Sequence, residues 1–270
     1  MSGAFYRTRT QVPPTLHTAR LTRTGLALAT AALAMLAGGA RADDTRWRDL
    51  EGRIQYGYYT EDRRALQNIA DNIALDESHG QWHAYYAGLV YWRLAQLTAQ
   101  APPEGKAASV SQLAQRCTRE LDPALEEHDD FVEGLALRSA CLAAPLAGGG
   151  LHLPGHRPRK DVERALTLAP RNPRALLVDA LSDYQLPPSL GGNPERALTE
   201  LRRAVAAFES ERAGPEPMPG WGAAEAYTLL GQDLLAHNDP VGARDALERA
   251  LLLAPDYAQA RRLMATIISG

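Results

Sequence analysis

The stretch "ERALTLAP", Glu163 to Pro170, returns 85 residues later as "ERALLLAP", Glu248 to Pro255, with one substitution. Ala175 and Ala260 continue the match after four intervening residues. The shift equals two units of about 42 residues, a period at which repeat architectures announce themselves. A second, independent shift of 46 aligns "NPERALTELRRAV" from Asn193 with "DPVGARDALERAL" from Asp239, and matches Pro194 to Pro240, Ala197 to Ala243, Leu201 to Leu247 and Ala204 to Ala250. Toward the N-terminus, "LDP" at Leu121 to Pro123 lies 47 residues before "LAP" at Leu168, and "LD" at Leu75 lies 46 further back. Ala, Leu and Arg dominate the chain and β-branched residues are scarce, a bias that favours helix over sheet.

One unit carries more than a period. Tyr227, Leu230, Gly231 and Leu234 on a first helix, then Ala243, Leu247, Ala250 and Pro255 on a second, fall at the spacing of the large, small and apolar positions of the tetratricopeptide repeat. From Ala224 to Tyr257 the chain closely resembles that family. The resemblance implies an all-α, right-handed α-solenoid of stacked antiparallel hairpins in which the first helix of each unit lines a concave surface that receives peptides or partner proteins. The spacing has its own logic: Gly231 and Ala243 lack bulk, so the two helices can approach, Leu230 and Leu247 fill the seam, and Pro255 ends the second helix.

Period and amphipathicity extend the array to units at 44–76, 81–123, 129–170, 174–212 and 222–257, closed by a capping helix at 257–269. Leu66, Ile69, Ala70 and Ile73 form the buried stripe of the first unit. Gly88 and Tyr91 stand in the second where the family has its small and large residues, and Asp130 with Glu133 reads as a capping box for the third. Units of 46 or 47 residues exceed the compact 34 of the family, because long connections such as "LPPSLGGNPERAL" lengthen them. That glycine-rich turn could suggest a phosphate loop, yet no strand precedes it and no Lys-Ser or Lys-Thr follows. It reads as a turn, with Asn193 as N-cap, Pro194 as first helical residue, and Gly191 and Gly192 supplying backbone geometry.

Residues 1–42 read as a Sec-type signal: Arg7, Arg9, Arg20 and Arg23 precede the apolar run Gly25 to Gly39, and Ala40-Arg41-Ala42 fits cleavage after Ala42. The run is short for a membrane span, so no stable membrane insertion is expected after cleavage. The expected destination is the periplasm or the exterior. Removing the leader takes five basic residues and no acidic one, which leaves 24 basic against 32 acidic side chains, a surface that repels nucleic acid. Two cysteines remain, Cys117 and Cys141, on neighbouring expected helices; an oxidising compartment permits a disulfide, and two buried thiols are the alternative.

Signals for chemistry are thin. His79 and His83 share a four-residue spacing interrupted by Gly80, His152 and His156 flank Pro154 and Gly155, and "EEHDD" at Glu126 to Asp130 lacks the alternating calcium pattern. No nucleophile elbow, zinc helix or glycine fingerprint is present, so neither an enzyme, a cofactor nor a metal site is expected. The densest feature is "QWHAYYAGLVYWRLA", Gln81 to Ala95, which holds five of seventeen aromatic residues. Its Trp82, Tyr85 and Trp92 share a stripe that either cements neighbouring units or lines a groove. The expected function is a periplasmic adaptor presenting an extended surface to a protein or peptide, as an accessory of an envelope transport or assembly system, with Glu225, Thr228 and Gln232 joining the aromatic stripe. The second reading is a small-ligand-binding protein with a pocket lined by helix 81–95.

Overall fold

A computed structural model describes residues 45–76, 79–101, 108–147, 158–211 and 219–269. The chain divides into Met1–Asp43 and Asp44–Gly270, and every described residue belongs to the second unit. The expected leader and its cleavage point, and the loop carrying His152 and His156, lie outside the described residues.

The described chain is an α-solenoid of helical hairpins. Helices α1 (45–59) and α2 (Arg63–Ala74) form the first, α3 (Gln81–Gln100) and α4 (Val110–Glu127) the second, and α5 (Val132–Ala147) and α6 (Pro158–Leu168) the third. Helices α7 (Pro173–Gln185) and α8 (Pro194–Ser210) form the fourth, α9 (Ala223–Ala236) and α10 (Pro240–Leu253) the fifth, and α11 (Ala258–Ser269) packs on the last pair. Among the described residues no helix is long and apolar enough to cross a membrane.

Local chemistry sets the helix starts. The carboxylate or amide oxygens of Asp62, Asn172, Asn193 and Asp239 each accept from a backbone N–H in the first turn of the helix that follows. Proline opens α7, α8 and α10, where its missing N–H costs nothing. Ahead of α8, Gly191 has φ +90°, and a Cβ on Gly192 would lie 1.7 Å from the Leu186 carbonyl oxygen, so the turn demands both glycines. Inside the hairpins, a Cβ on Gly231 would lie 2.7 Å from Leu247 Cγ and 3.2 Å from the Ala243 carbonyl, and one on Gly88 would lie 3.0 Å from Leu121 Cγ. The large partners Leu121 and Leu247 are fully buried against these glycines. Tyr91, Leu230, Leu234 and Ala250 also lie in the core, while Tyr227 keeps its ring buried and donates from its hydroxyl to Glu209. Pro255 is exposed just past the end of α10.

Helix α4 runs past the expected unit bound at 123, through Pro123 to Glu127, and Ala124 and Leu125 in that turn are buried in the core. One expectation is corrected. The capping box at Asp130 does not form: α5 starts one residue later, and Glu133 turns inward to accept from Asn172 Nδ2 at 2.7 Å and Arg174 Nε at 3.1 Å. Between the second and third hairpins, Cys117 of α4 and Cys141 of α5 form a disulfide with Cα atoms 6.2 Å apart, and both residues are fully buried.

The stack does not run on as an open rod. It curls until its two ends meet, and the contacts there join residues about 170 to 200 apart in sequence. Gln55 of α1 donates to Glu225 Oε1 of α9 at 2.9 Å, and the Tyr59 hydroxyl donates to Glu225 Oε2 at 2.9 Å. The backbone N–H of Gly220 donates to Glu51 at 2.7 Å. Tyr257 packs its ring 4.6 Å from that of Tyr59 and 5.9 Å from that of Tyr58, and Arg262 of α11 pairs with Glu61 on the surface.

Candidate functional site

Curling gives the inner face a floor. Arg93, on α3, is fully buried, and its guanidinium carbon sits 4.1 Å from the Tyr58 ring centre, 4.5 Å from Trp92 and 4.8 Å from Trp221. It donates to Gln55 Oε1 at 3.1 Å and Gln96 Oε1 at 2.9 Å, and pairs directly with Glu225. Burial opposes its charge, but the Glu225 carboxylate and the surrounding tyrosines more than offset it, so its pKa lies above the ordinary guanidinium value. A fully desolvated charge of this kind is stable only with its partner in place.

Above this floor lies a cavity of about 460 Å³ to which α1, α3, α5, α7, α9 and α11 all contribute. Its volume falls within the range of small-ligand sites. One wall is aliphatic, with Ala140 and Ala144 of α5, Leu177 and Leu181 of α7 and Leu229 of α9. The rim is a chain of amides and phenols. The Tyr257 hydroxyl donates to Gln259 Oε1 at 3.3 Å, Gln259 Nε2 donates to Gln232 Oε1 at 3.3 Å, and Gln232 Nε2 donates to the Tyr184 hydroxyl at 3.0 Å. Gln96, Gln100 and Gln185 complete the lining. Burial raises the pKa of Tyr184, the Asp233 carboxylate nearby adds to it, and the Gln232 bond acts the other way; the phenol stays protonated at neutral pH.

The residues singled out from sequence separate here. Trp92, Glu225 and Gln232 line the cavity together. Tyr85 and Thr228 do not reach a surface: Tyr85 is fully buried and accepts from Trp221 Nε1 at 2.7 Å, and Thr228 is fully buried and donates to the Ala224 carbonyl at 2.8 Å. Helix α3 is enclosed on most sides, so its stripe serves the core as well as the cavity. Trp82 lies away from the cavity, half-buried and edge-on to Tyr85 and Phe131. His79 precedes α3 across Gly80, whose φ is +119°, so it cannot share a helical face with His83, which lies 3.3 Å from the Ile73 carbonyl and edge-on to Trp47. Among the described residues no group of three metal-ligating side chains clusters.

Sequence reading missed Arg93, Trp221, Tyr184 and Gln259. The available signal for Arg93 was its position inside a helix with no other Asp, Glu, Lys or Arg, where a buried charge needs a partner. The partner is 132 residues away and invisible to local patterning.

Beside the cavity wall, Asp233 is buried with Oδ2 lacking a hydrogen-bond partner. Burial raises its pKa, while His237 and Arg202 pull the other way. With the folded-state pKa above the unfolded value, the folded chain takes up the proton first. The penalty is therefore fully present above the folded pKa and disappears as pH falls toward the unfolded value. Replacing Asp233 with Asn removes the buried charge and is expected to raise the melting midpoint at pH 7 and to lose this advantage in acid. Melting curves from pH 4 to 8 check it; an advantage that grows in acid would contradict the assignment.

Fold and site define a class: an all-α hairpin solenoid curled around a cavity. No protein-family model matches the chain, and no curated protein matches it. Among solved structures it is similar to the HusA haemophore from Porphyromonas gingivalis, at 21% identity and a TM-score of 0.52, over 70% of this chain and 92% of that one. It also aligns with a thermophilic TPR protein of Thermus thermophilus, at 15% identity and a TM-score of 0.47, over 84% of this chain and 100% of that one. At these identities the likeness to the haemophore concerns the fold.

Proposed function

We propose that the protein is a non-enzymatic binding protein of the periplasm or cell exterior that holds a compact ligand or peptide in its inner cavity, as an accessory of an envelope transport or assembly system. The observation that carries this reading is the convergence of six helices from both ends of the chain on one cavity of about 460 Å³. An adaptor working through an open groove would leave its first helices exposed along their length; here Glu225 and Trp92 are already engaged with residues of other hairpins. The cargo class of the similar haemophore makes haem a rival occupant.

Filling the cavity tests the reading. Ala144, half-buried on the aliphatic wall, is replaced by tryptophan, and wild type and variant are melted with the low-mass fraction of an envelope extract. A ligand at about a hundred times its Kd stabilises a domain of this size by roughly 5–10 °C. That shift is expected for the wild type and absent from Ala144→Trp. Equal shifts for both would sink the cavity as the binding site.

A further inference from the structure

The lining is electrically neutral as a set. Its charged members are Arg93 and Glu225, and they are spent on each other beneath the floor. Its aromatic faces are also largely taken. Tyr58, Trp92 and Trp221 stack on the Arg93 guanidinium, and Tyr257 packs on Tyr58 and Tyr59, so of the lining rings a ligand that binds by stacking is left chiefly with the half-buried Tyr184. What remains for an occupant is the aliphatic wall and the amide rim. On that rim the Tyr257–Gln259–Gln232–Tyr184 chain holds each amide in one orientation. A primary amide has two N–H donors and an oxygen that accepts twice. Within the chain Gln232 and Gln259 each use one donor and one acceptor position, which leaves each with a further N–H and a further lone pair. A donor and an acceptor on one amide match the C=O and N–H that a single residue of an extended peptide presents on one edge. Because the amides are already held in place, little side-chain freedom is lost on binding.

Resting on the cavity reading, we infer that the occupant is an uncharged, amide-bearing segment with small aliphatic side chains, its peptide groups read by Gln232 and Gln259 and its side chains laid on Ala144, Leu181 and Leu229. The site discriminates against carboxylates and other ions because it offers them no counter-charge while removing their water.

The purified full-length protein is titrated, with intrinsic tryptophan fluorescence and the melting midpoint as readouts. The probes are a pool of pentapeptides of Ala, Leu, Val, Ser and Gln with acetylated and amidated ends, the same pool with free ends, a capped pool with a central Asp or Lys, and haemin. The capped neutral pool is expected to bind best. Gln232→Glu and Gln259→Leu are each expected to weaken it by about tenfold or more, the equivalent of one lost hydrogen bond of ~1.4 kcal/mol, with each variant's affinity read at a temperature well below its own unliganded midpoint. Binding confined to the capped pool would identify an internal stretch of a longer chain as the source; free-ended peptides binding as well as capped ones would contradict the discrimination against ions and overturn the inference. Haemin or the charged pool binding at least as tightly, with loss in Ala144→Trp, would overturn the inference and leave the cavity reading standing. Neutral-pool binding that survives both glutamine substitutions would overturn it in the same way. Failure of every probe to bind would overturn the inference as well, and the extract experiment with Ala144→Trp then decides the cavity reading separately.

Discussion

Replacing Arg93 with methionine is expected to lower the melting midpoint by roughly 6 to 20 °C, the consequence of about 3–5 kcal/mol lost when one partner of a buried ion pair is removed. The reason lies less in the attraction lost than in what is left behind. Glu225 is 5% exposed, and without Arg93 its carboxylate keeps only the bonds from Gln55, Tyr59 and the Gly222 N–H. The three rings that stack on the guanidinium lose their common partner as well. Since this cluster joins α1, α3 and α9, damage there should loosen the meeting of the two chain ends before it unfolds individual hairpins. Small-angle scattering below the midpoint should therefore show an enlarged radius of gyration while helical circular dichroism is kept. The double variant Arg93→Met, Glu225→Leu should regain only part of the loss, because it removes the lone buried charge but leaves the Gln55, Tyr59 and Gly222 donors without their acceptor. If Arg93→Met melted with the wild type, the ion pair could not be what holds the ends together.

The second large effect concerns the bridge between the second and third hairpins. Converting both Cys117 and Cys141 to Ala is expected to cost roughly 3–4 kcal/mol, the chain-entropy value for a bridge closing about 25 residues. The closed loop runs from the middle of α4 to the middle of α5 and so adds a covalent tie to two hairpins that also meet through side-chain packing and the Arg138–Asp122 ion pair. Both sulfurs are fully buried, so a reductant should act slowly on the folded protein and quickly once it is warmed toward its midpoint. Melting of the oxidised protein, the reduced protein and the double variant checks this, with non-reducing mass measurement to confirm the bond. Coincident midpoints for all three would show that the bridge adds nothing to stability.

How much of this was legible beforehand follows the range over which each feature is determined. The hairpin chemistry is local. Asn193 and Asp239 cap the helices they precede, prolines open them, and Gly88 and Gly231 sit opposite Leu121 and Leu247. Such contacts are close in the chain and repeat with the period, so self-comparison of the sequence exposes them. Pro123 sits inside α4, where burial of Ala124 and Leu125 in the turn beyond it offsets the cost of a proline in a helix. Whether the two cysteines bond was open, since spacing along the chain does not say how far apart α4 and α5 bring them.

By itself the sequence determined an all-helical array of antiparallel hairpins, because helix period, caps, turn glycines and the small-against-large seams are all set by neighbours in the chain. Tertiary structure alone decided that the array curls shut, that Arg93 finds Glu225 across 132 residues, and that Trp92, Gln232, Tyr184 and Gln259 come to surround one cavity. The physical reason is accumulation. The small angle at which each hairpin packs on the next is fixed by three-dimensional packing, not by any single residue pattern, and summed over the hairpins it determines whether the ends meet.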